Sequence, residues 1–155
     1  AILIEQLEEG DEAVVLESLL LTIEALISYR RRYRASLNVR DVLELALIDT
    51  TNPRSILYQL ERLQQHIAEL PGSVSRQLEL EGEQRHLLEA VSRIRLSELA
   101  ELAAPDPSSH TRGELDQLFS RVNHLLRETS DQLTARFFEH ARGGQQLVRQ
   151  NRGFE

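Results

Sequence analysis

The placement of glycine and proline constrains this chain most strongly. The sequence holds only seven Gly and four Pro, and most of them stand at the ends of long stretches. Between these breaks, apolar residues recur at helical spacing and do not alternate as they would in a strand. We therefore predict an all-α fold, an antiparallel bundle of about five helices.

The apolar periodicity also places the individual helices. We predict them at residues 11–34, 40–48, 54–70, 74–103 and 112–140. The first is apolar nearly all round, which is typical of a central, buried helix. The fourth contains Gly82 within an acidic run, which predicts a kink or break there. In this interpretation residues 1–142 form a single helical domain and residues 143–155 a polar tail.

Two helix starts carry capping signals. Asn52 suits an N-cap, and Pro53 suits the first helical position because its missing N–H would be unbonded there anyway. Thr111 and Glu114 have the spacing of a capping box, which predicts the start of the last helix.

Composition excludes several classes of protein. The 18 basic residues are all Arg, and against 25 acidic residues they leave a net charge of −7, which argues against a nucleic-acid partner. The absence of Cys excludes disulfides, thiolate metal sites and a Cys nucleophile.

Residues 13–27 are apolar, but Glu17 and Glu24 interrupt them, so we expect no membrane span. Since the opening residues show no targeting signal and no Met, we expect a fragment of a cytoplasmic protein.

The first candidate cluster lies at the end of the first helix. It consists of Tyr29, Arg30, Arg32 and Tyr33, with Arg31 between them. One interpretation is structural, because cations at a helix C-terminus interact favourably with the helix dipole. The other is an anion- or partner-binding site, because Arg presents planar, bidentate donors to carboxylates and phosphates.

The second candidate cluster follows the second helix and consists of Asp49, Asn52, Pro53, Arg54, Ser55, Tyr58 and Gln59. Capping explains Asn52, but it does not require Arg54, Ser55 or Tyr58 nearby. The N–H groups of a helix start can bind an anion, and Arg54 would strengthen such a site. Alternatively, Arg54 pairs with Asp49 or with a buried Glu.

Two carboxylates in the first helix need partners. Glu17 and Glu24 are seven residues apart, which places them on one face of a continuous helix. A buried carboxylate must be paired or protonated, so we expect Arg54, Arg62 or another chain as partner. Glu24 and Tyr58 are weak catalytic candidates, because nothing nearby supplies a nucleophile.

Metal and nucleotide chemistry have little support. Glu83 and His86 match the E-x-x-H spacing of di-iron bundles, but such sites need two of these motifs. The phosphate-binding glycine motifs and the hydrolase elbow are absent from the sequence. We therefore assign no metal ligand and no cofactor.

Three runs of sequence occur in a specific order and spacing. They read ESLLLTIEALISYRRRY at 17–33, DVLELALID at 41–49 and NPRS at 52–55. In this order they resemble the bacterial alpha-E family, a predicted all-helical domain named for a Glu-Arg motif. RFFEH at 136–140 and QQLV at 145–148 are similar to the end of versions fused behind a circularly permuted ATP-grasp domain. The family's naming motif would lie upstream of residue 1, so the chain resembles the C-terminal half of that domain.

The resemblance implies a role in making or modifying peptide-like amide bonds. Its main implication is an accessory domain that docks on an ATP-grasp ligase, in the same or a neighbouring protein, or presents the ligase's substrate. A second hypothesis is half of a catalytic site, with Glu24, Arg32, Arg54 and Tyr58 completed by residues elsewhere. A third is a structural bundle that forms homo-oligomers. Whether the domain is an enzyme stays open, although the first hypothesis is non-catalytic.

Overall fold

Helices form the regular structure of this protein. The computed structural model describes residues 3–34, 36–71 and 80–139. Its helices are α1 (Glu9–Thr22), α2 (Leu26–Tyr33), α3 (Val39–Leu43), α4 (Ile56–Ala68), α5 (Gly82–Arg95), α6 (Leu99–Ala103) and α7 (Gly113–Thr134). π-helical turns at Glu44–Ile48 and Ala135–Glu139 extend α3 and α7. The predicted all-α fold is confirmed, and α5 packs along both α7 and α4 in a helical bundle.

Two of the five predicted helices are divided. The stretch predicted at 11–34 holds α1 and α2, and the stretch predicted at 74–103 holds α5 and α6. Helix α5 begins at Gly82, where the sequence predicts a kink or break. The start of that stretch and the predicted domain boundary at residue 142 lie outside the described residues, as does the tail at 143–155.

The division between α1 and α2 is a left-handed turn at Glu24. Its φ is 51°. The Ala25 N–H donates to the Leu20 carbonyl over 2.8 Å and the Glu24 N–H to the Leu21 carbonyl over 3.0 Å, which together make a Schellman C-cap. Gly is the usual residue at this position, since a side chain in left-handed backbone costs roughly 1–2 kcal/mol. Because Glu stands here instead, the sequence pattern suggests one continuous helix.

Helix α1 is not the central buried helix that its composition predicts. Leu16 and Leu20 are buried in the core, but Val14 is 64% exposed and Leu21 is 59% exposed. Only one face of α1 packs on the bundle, so its opposite apolar face is open to solvent.

Both predicted N-caps are wrong. Helix α4 is capped by Ser55, whose Oγ accepts the N–H of Tyr58 over 3.2 Å, so Asn52 lies in the preceding turn. Helix α7 has no side-chain cap, and the Thr111 hydroxyl instead contacts the Ser109 hydroxyl at 2.8 Å.

A buried guanidinium ties the N-terminal segment to the bundle. Arg112 is 3% exposed and donates to the carbonyls of Leu3, Ala103 and Glu5 over 2.9, 2.9 and 3.1 Å. It also forms an ion pair with Glu12 of α1. Since a buried charge is tolerated only when it is paired and hydrogen-bonded, this network fixes residues 3–5, α1 and the end of α6 against each other.

We expect Arg112→Met to lower the free energy of unfolding by about 3–5 kcal/mol, because it leaves the Glu12 carboxylate and the three carbonyls without their donor. Urea denaturation followed by circular dichroism measures the loss. Arg95→Met is the matched control: it removes a 59%-exposed Arg paired with Glu61, which should change stability by no more than about 1 kcal/mol. Equal effects of the two substitutions would contradict this account of Arg112.

Candidate functional site

Helix α2 sorts its polar and aromatic residues onto different faces. Tyr29 and Tyr33 are four residues apart and their rings pack together, with centroids 4.9 Å apart. Ser28, Arg31 and Arg32 lie on another side of the helix and line one groove. The helical repeat of 3.6 residues therefore separates the aromatic pair from two of the three consecutive Arg residues.

Tyr29 holds α2 to the segment before α3. Its ring is 1% exposed, its hydroxyl donates to the Ser36 carbonyl over 3.0 Å, and it accepts the Asn38 N–H at 3.3 Å. Burial raises the pKa of the Tyr29 hydroxyl above its usual value of about 10. This side chain is buried and hydrogen-bonded within the fold, so it is not exposed to a ligand as the sequence suggests.

The turn between α3 and α4 is organised by Asp49. One carboxylate oxygen accepts the Thr51 N–H and hydroxyl, over 2.9 and 2.6 Å. Its carbonyl accepts the hydroxyl of the fully buried Ser55 over 2.7 Å. In the same turn Asn52 donates to the Leu45 carbonyl over 3.1 Å. Ser55 is therefore a structural cap and not the ligand-binding residue that the sequence predicts.

Arg32 joins the two candidate clusters. Its guanidinium lies 2.6 Å from the Glu44 carboxylate and 3.3 Å from the other carboxylate oxygen of Asp49. Glu44 lies in the π-helical turn, and Asp49 begins the second cluster. This ion-pair network therefore fixes α2 against the turn that precedes α4.

A second ion pair crosses the same space. The Arg54 guanidinium lies 2.7 Å from the Glu24 carboxylate, which the left-handed turn places at the end of α1. Arg54 is among the partners that we predict for Glu24. Glu17 and Glu24 do not share one helix face as predicted, because α1 ends before the turn at Glu24. The Glu17 carboxylate instead pairs with Arg30 at 3.0 Å.

These contacts surround an open groove of about 720 Å³. Its walls come from α2, the end of α1 and the turn after α3. The lining residues that carry charge or polar groups are Glu24, Ser28, Arg31, Arg32, Asp49, Thr51, Asn52 and Arg54. The structure thus brings together Glu24, Arg32, Asn52 and Arg54 from the residues singled out in the sequence.

Within the described part of the chain, Arg31 is a groove cation without a partner. Its guanidinium has no ion-pair or hydrogen-bond partner among the described residues, whereas Arg32 contacts two carboxylates and Arg54 one. Arg31 and Arg54 can therefore meet an anion, with Arg54 exchanging an exposed partner for it. Arg32 would have to give up Glu44 and Asp49.

The remaining predicted site residues lie outside this groove. Arg30 pairs with Glu17 on the other side of α2, and Tyr58 is half-buried on α4 without lining the groove. Tyr33 is half-buried, and its hydroxyl is buried near the Glu44 carboxylate. Burial, and then the nearby Glu44 carboxylate, raise the pKa of Tyr33 to about 12.

Sequence reasoning missed Arg31 as a groove residue. A helical-wheel argument could have found it: each residue advances by about 100°, so a residue two positions from both Tyr29 and Tyr33 points away from that buried pair. Thr51 and Ser28 carried no comparable signal, because their positions depend on how the turn folds.

Glu83, one of the two residues considered for a metal site, forms an ion pair instead. Glu83 of α5 is buried and forms an ion pair with Arg136, in the π-helical turn after α7. Across residues 3–34, 36–71 and 80–139, no three potential His, Asp or Glu ligands lie together in a way that could hold a metal ion. The structure therefore explains the Glu of the lone E-x-x-H spacing as an ion-pair partner.

Comparisons place the chain in a family. The model of the Alpha-E family, described as a predicted alpha-helical domain with a conserved ER motif, matches residues 1–138. The chain belongs to this family, as its resemblance in sequence predicts. It is also 36% identical over 124 residues to uncharacterized proteins of Mycobacterium bovis and of two strains of Mycobacterium tuberculosis.

The matched region is 80% of this chain but 14% of each mycobacterial relative, so the chain spans about a seventh of their length. No solved structure matches the chain significantly. Within the part of the chain that the structure describes, no helix combines the length and apolarity needed to cross a bilayer.

We expect Glu24→Gly to raise the free energy of unfolding by up to about 1 kcal/mol, because Gly removes the strain of left-handed backbone. Glu24→Ala is the matched control, since it also loses the exposed ion pair with Arg54 but keeps the strain. Thermal and urea unfolding of both variants measure the difference. A Gly variant no more stable than the Ala variant would show that the turn carries no strain.

We expect stability to fall between pH 10 and pH 12, in part through Tyr33. In the folded state Tyr33 stays protonated up to about pH 12, whereas an unfolded Tyr ionises near pH 10. Its contribution is therefore fully present below pH 10 and is lost as pH rises towards 12. Urea denaturation at pH 9, 10 and 11 should give a shallower decline for Tyr33→Phe, whereas an unchanged decline would contradict this role.

Proposed function

We propose that this domain is an accessory helical module of a bacterial ATP-grasp-type amide or peptide ligase system in the cytoplasm. Its role in that system is to hold a carboxylate-bearing, peptide-like substrate in the groove between α2 and the turn before α4. The observation that carries the proposal is that the Arg31 guanidinium, which has no partner among the described residues, lines the same groove as Arg54. The ligase is inferred from the resemblance alone.

The chemistry of the groove supports a carboxylate ligand. Amide-bond formation joins a carboxylate to an amine, and Arg recognises carboxylates through paired N–H donors. A groove of about 720 Å³ is within the common size range of small-molecule sites, and its lining is rich in charged groups. A polar, acidic peptide end suits it better than an apolar ligand.

The same arrangement favours binding over catalysis by this domain alone. Both carboxylates that line the groove are ion-paired, Glu24 with Arg54 and Asp49 with Arg32. None of the described residues that line the groove is a His, and Tyr58, the other catalytic candidate, lies outside it. The hypothesis of half a catalytic site therefore depends on residues from elsewhere.

Binding of N-acetylglycine to the 155-residue chain tests the first step. Two-dimensional NMR should show shifts centred on Arg31 and Arg54, and we expect Arg31→Ala or Arg54→Ala to weaken binding about tenfold. Arg30→Ala is the matched control, because it removes the same charge from the same helix outside the groove. Equal weakening by all three variants would contradict a defined site.

The second step is the link to a ligase. ATP turnover and amide-bond formation by an ATP-grasp domain should rise when the chain is added, and this increase should disappear with Arg31→Ala but not with Arg30→Ala. Intact carboxylate binding without any effect on the ligase would contradict the ligase association while leaving the binding site in place.

Oligomerisation is a second candidate function, favoured by one observation. Val14, Leu21 and Ile27 of α1 and α2 are 64%, 59% and 74% exposed. Val14 and Leu21 are seven residues apart and therefore share one face of α1, and an exposed apolar face commonly marks a protein contact. Sedimentation velocity at increasing concentration distinguishes a self-associating chain from a monomer and is independent of the groove.

A further inference from the structure

A small apolar recess adjoins the groove. Its volume is about 220 Å³, and Ile23 and Arg54 line both the recess and the groove. Leu19, Ala46 and Phe119 also face it, and each of these side chains is only partly buried. The groove and the recess are therefore neighbouring parts of one surface, with a cation at their junction.

From this arrangement we infer that the recess receives the C-terminal side chain of a peptide-like acid whose α-carboxylate is held by Arg31 and Arg54. This inference rests on the proposed function and specifies its substrate class: peptides that end in a Leu- or Phe-sized residue. The α-carboxylate and the side chain of a terminal residue leave the same carbon atom. A ligand of this kind needs a cationic and an apolar subsite side by side, as Arg54 and Ile23 provide.

The size of the recess selects the occupant. An apolar cavity of about 150 Å³ holds a benzene molecule. A recess of about 220 Å³ therefore accommodates one large aliphatic or aromatic side chain but not the tail of a long fatty acid. Charge complementarity sets the orientation of the ligand, with its carboxylate towards the groove and its side chain in the recess. Arg54, at their junction, is the only charged residue among the described residues that line the recess.

The π-helical turn at Glu44–Ile48 forms the wall between the two subsites. It contributes Leu45 to the groove, and Ala46 and Leu47 to the recess. Such turns are uncommon and often occur at functional sites. Ala46 is small, which leaves the recess open.

The test is NMR-monitored titration of the 155-residue chain with N-acetylleucine, N-acetylglycine and N-acetylleucinamide. We expect N-acetylleucine to bind roughly tenfold to hundredfold more tightly than N-acetylglycine, as burial of a Leu side chain implies. The amide, which lacks the carboxylate, should bind at least tenfold more weakly than N-acetylleucine.

Two variants probe the recess without changing either Arg. Ala46→Leu should fill it and remove the preference for N-acetylleucine, while N-acetylglycine still binds. Phe119→Leu should enlarge it and shift the preference several-fold towards N-acetylphenylalanine, which keeps the inference testable if Ala46→Leu does not fold.

The outcomes separate the inference from the proposed function. Equal affinity for N-acetylleucine and N-acetylglycine, both dependent on Arg31, would overturn the recess and leave the carboxylate site. Binding insensitive to Arg31→Ala and Arg54→Ala, or no binding at all, would overturn both. Tighter binding of octanoate than of N-acetylleucine would overturn the peptide end as the occupant.

Discussion

The buried Arg112 guanidinium is the constraint on which the arrangement of the helices depends. Burying a charge is unfavourable unless it is paired and hydrogen-bonded, and Arg112 meets this condition with three carbonyls and the Glu12 carboxylate. Glu12 is 100 residues away in sequence and lies in the first half of α1. The contact therefore fixes α1, and with it the position of Glu24 at one edge of the groove.

Asp49 fixes the opposite edge of the groove, in the turn before α4. Its carboxylate holds Arg32 and Thr51, and its carbonyl holds the cap of α4. Because Arg32 is ion-paired with Asp49 and Glu44, its role is structural. Its neighbour Arg31 has no partner among the described residues and can interact with solvent or a ligand. Adjacent and chemically identical residues thus have different roles, and helical geometry decides which is which.

The sequence predicted what depends on local pattern. Apolar periodicity indicated the all-α class and the helices near 40–48 and 54–70, and the need to pair a carboxylate suggested Arg54 as a partner of Glu24. Helix starts were predicted less well, because Asn, Ser and Thr can all cap a helix and only the tertiary fold determines which one does.

What the sequence missed depends on contacts distant in the chain or on unusual backbone. A left-handed Glu24 has no sequence signal, since Gly is the expected residue there. Burial of Arg112 could not be anticipated because its partners near the N-terminus are about 100 residues away. Residue type alone also suggested that Tyr29 and Ser55 contact a ligand, whereas both are buried and hydrogen-bonded to neighbouring backbone groups.

The charge of the whole chain and the charge of the groove point to the same size of ligand. A net charge of −7 repels polyanions such as nucleic acids at long range. At physiological ionic strength, however, charges are screened beyond about 8 Å, so a small anion inside the groove interacts mainly with Arg31 and Arg54. Among the described residues of the groove, Arg31 is the cation without an ion-pair partner, and one such cation matches a single carboxylate. The acidic surface and the local Arg pair therefore favour a small, singly charged acid with an apolar side chain over a phosphate-rich polymer.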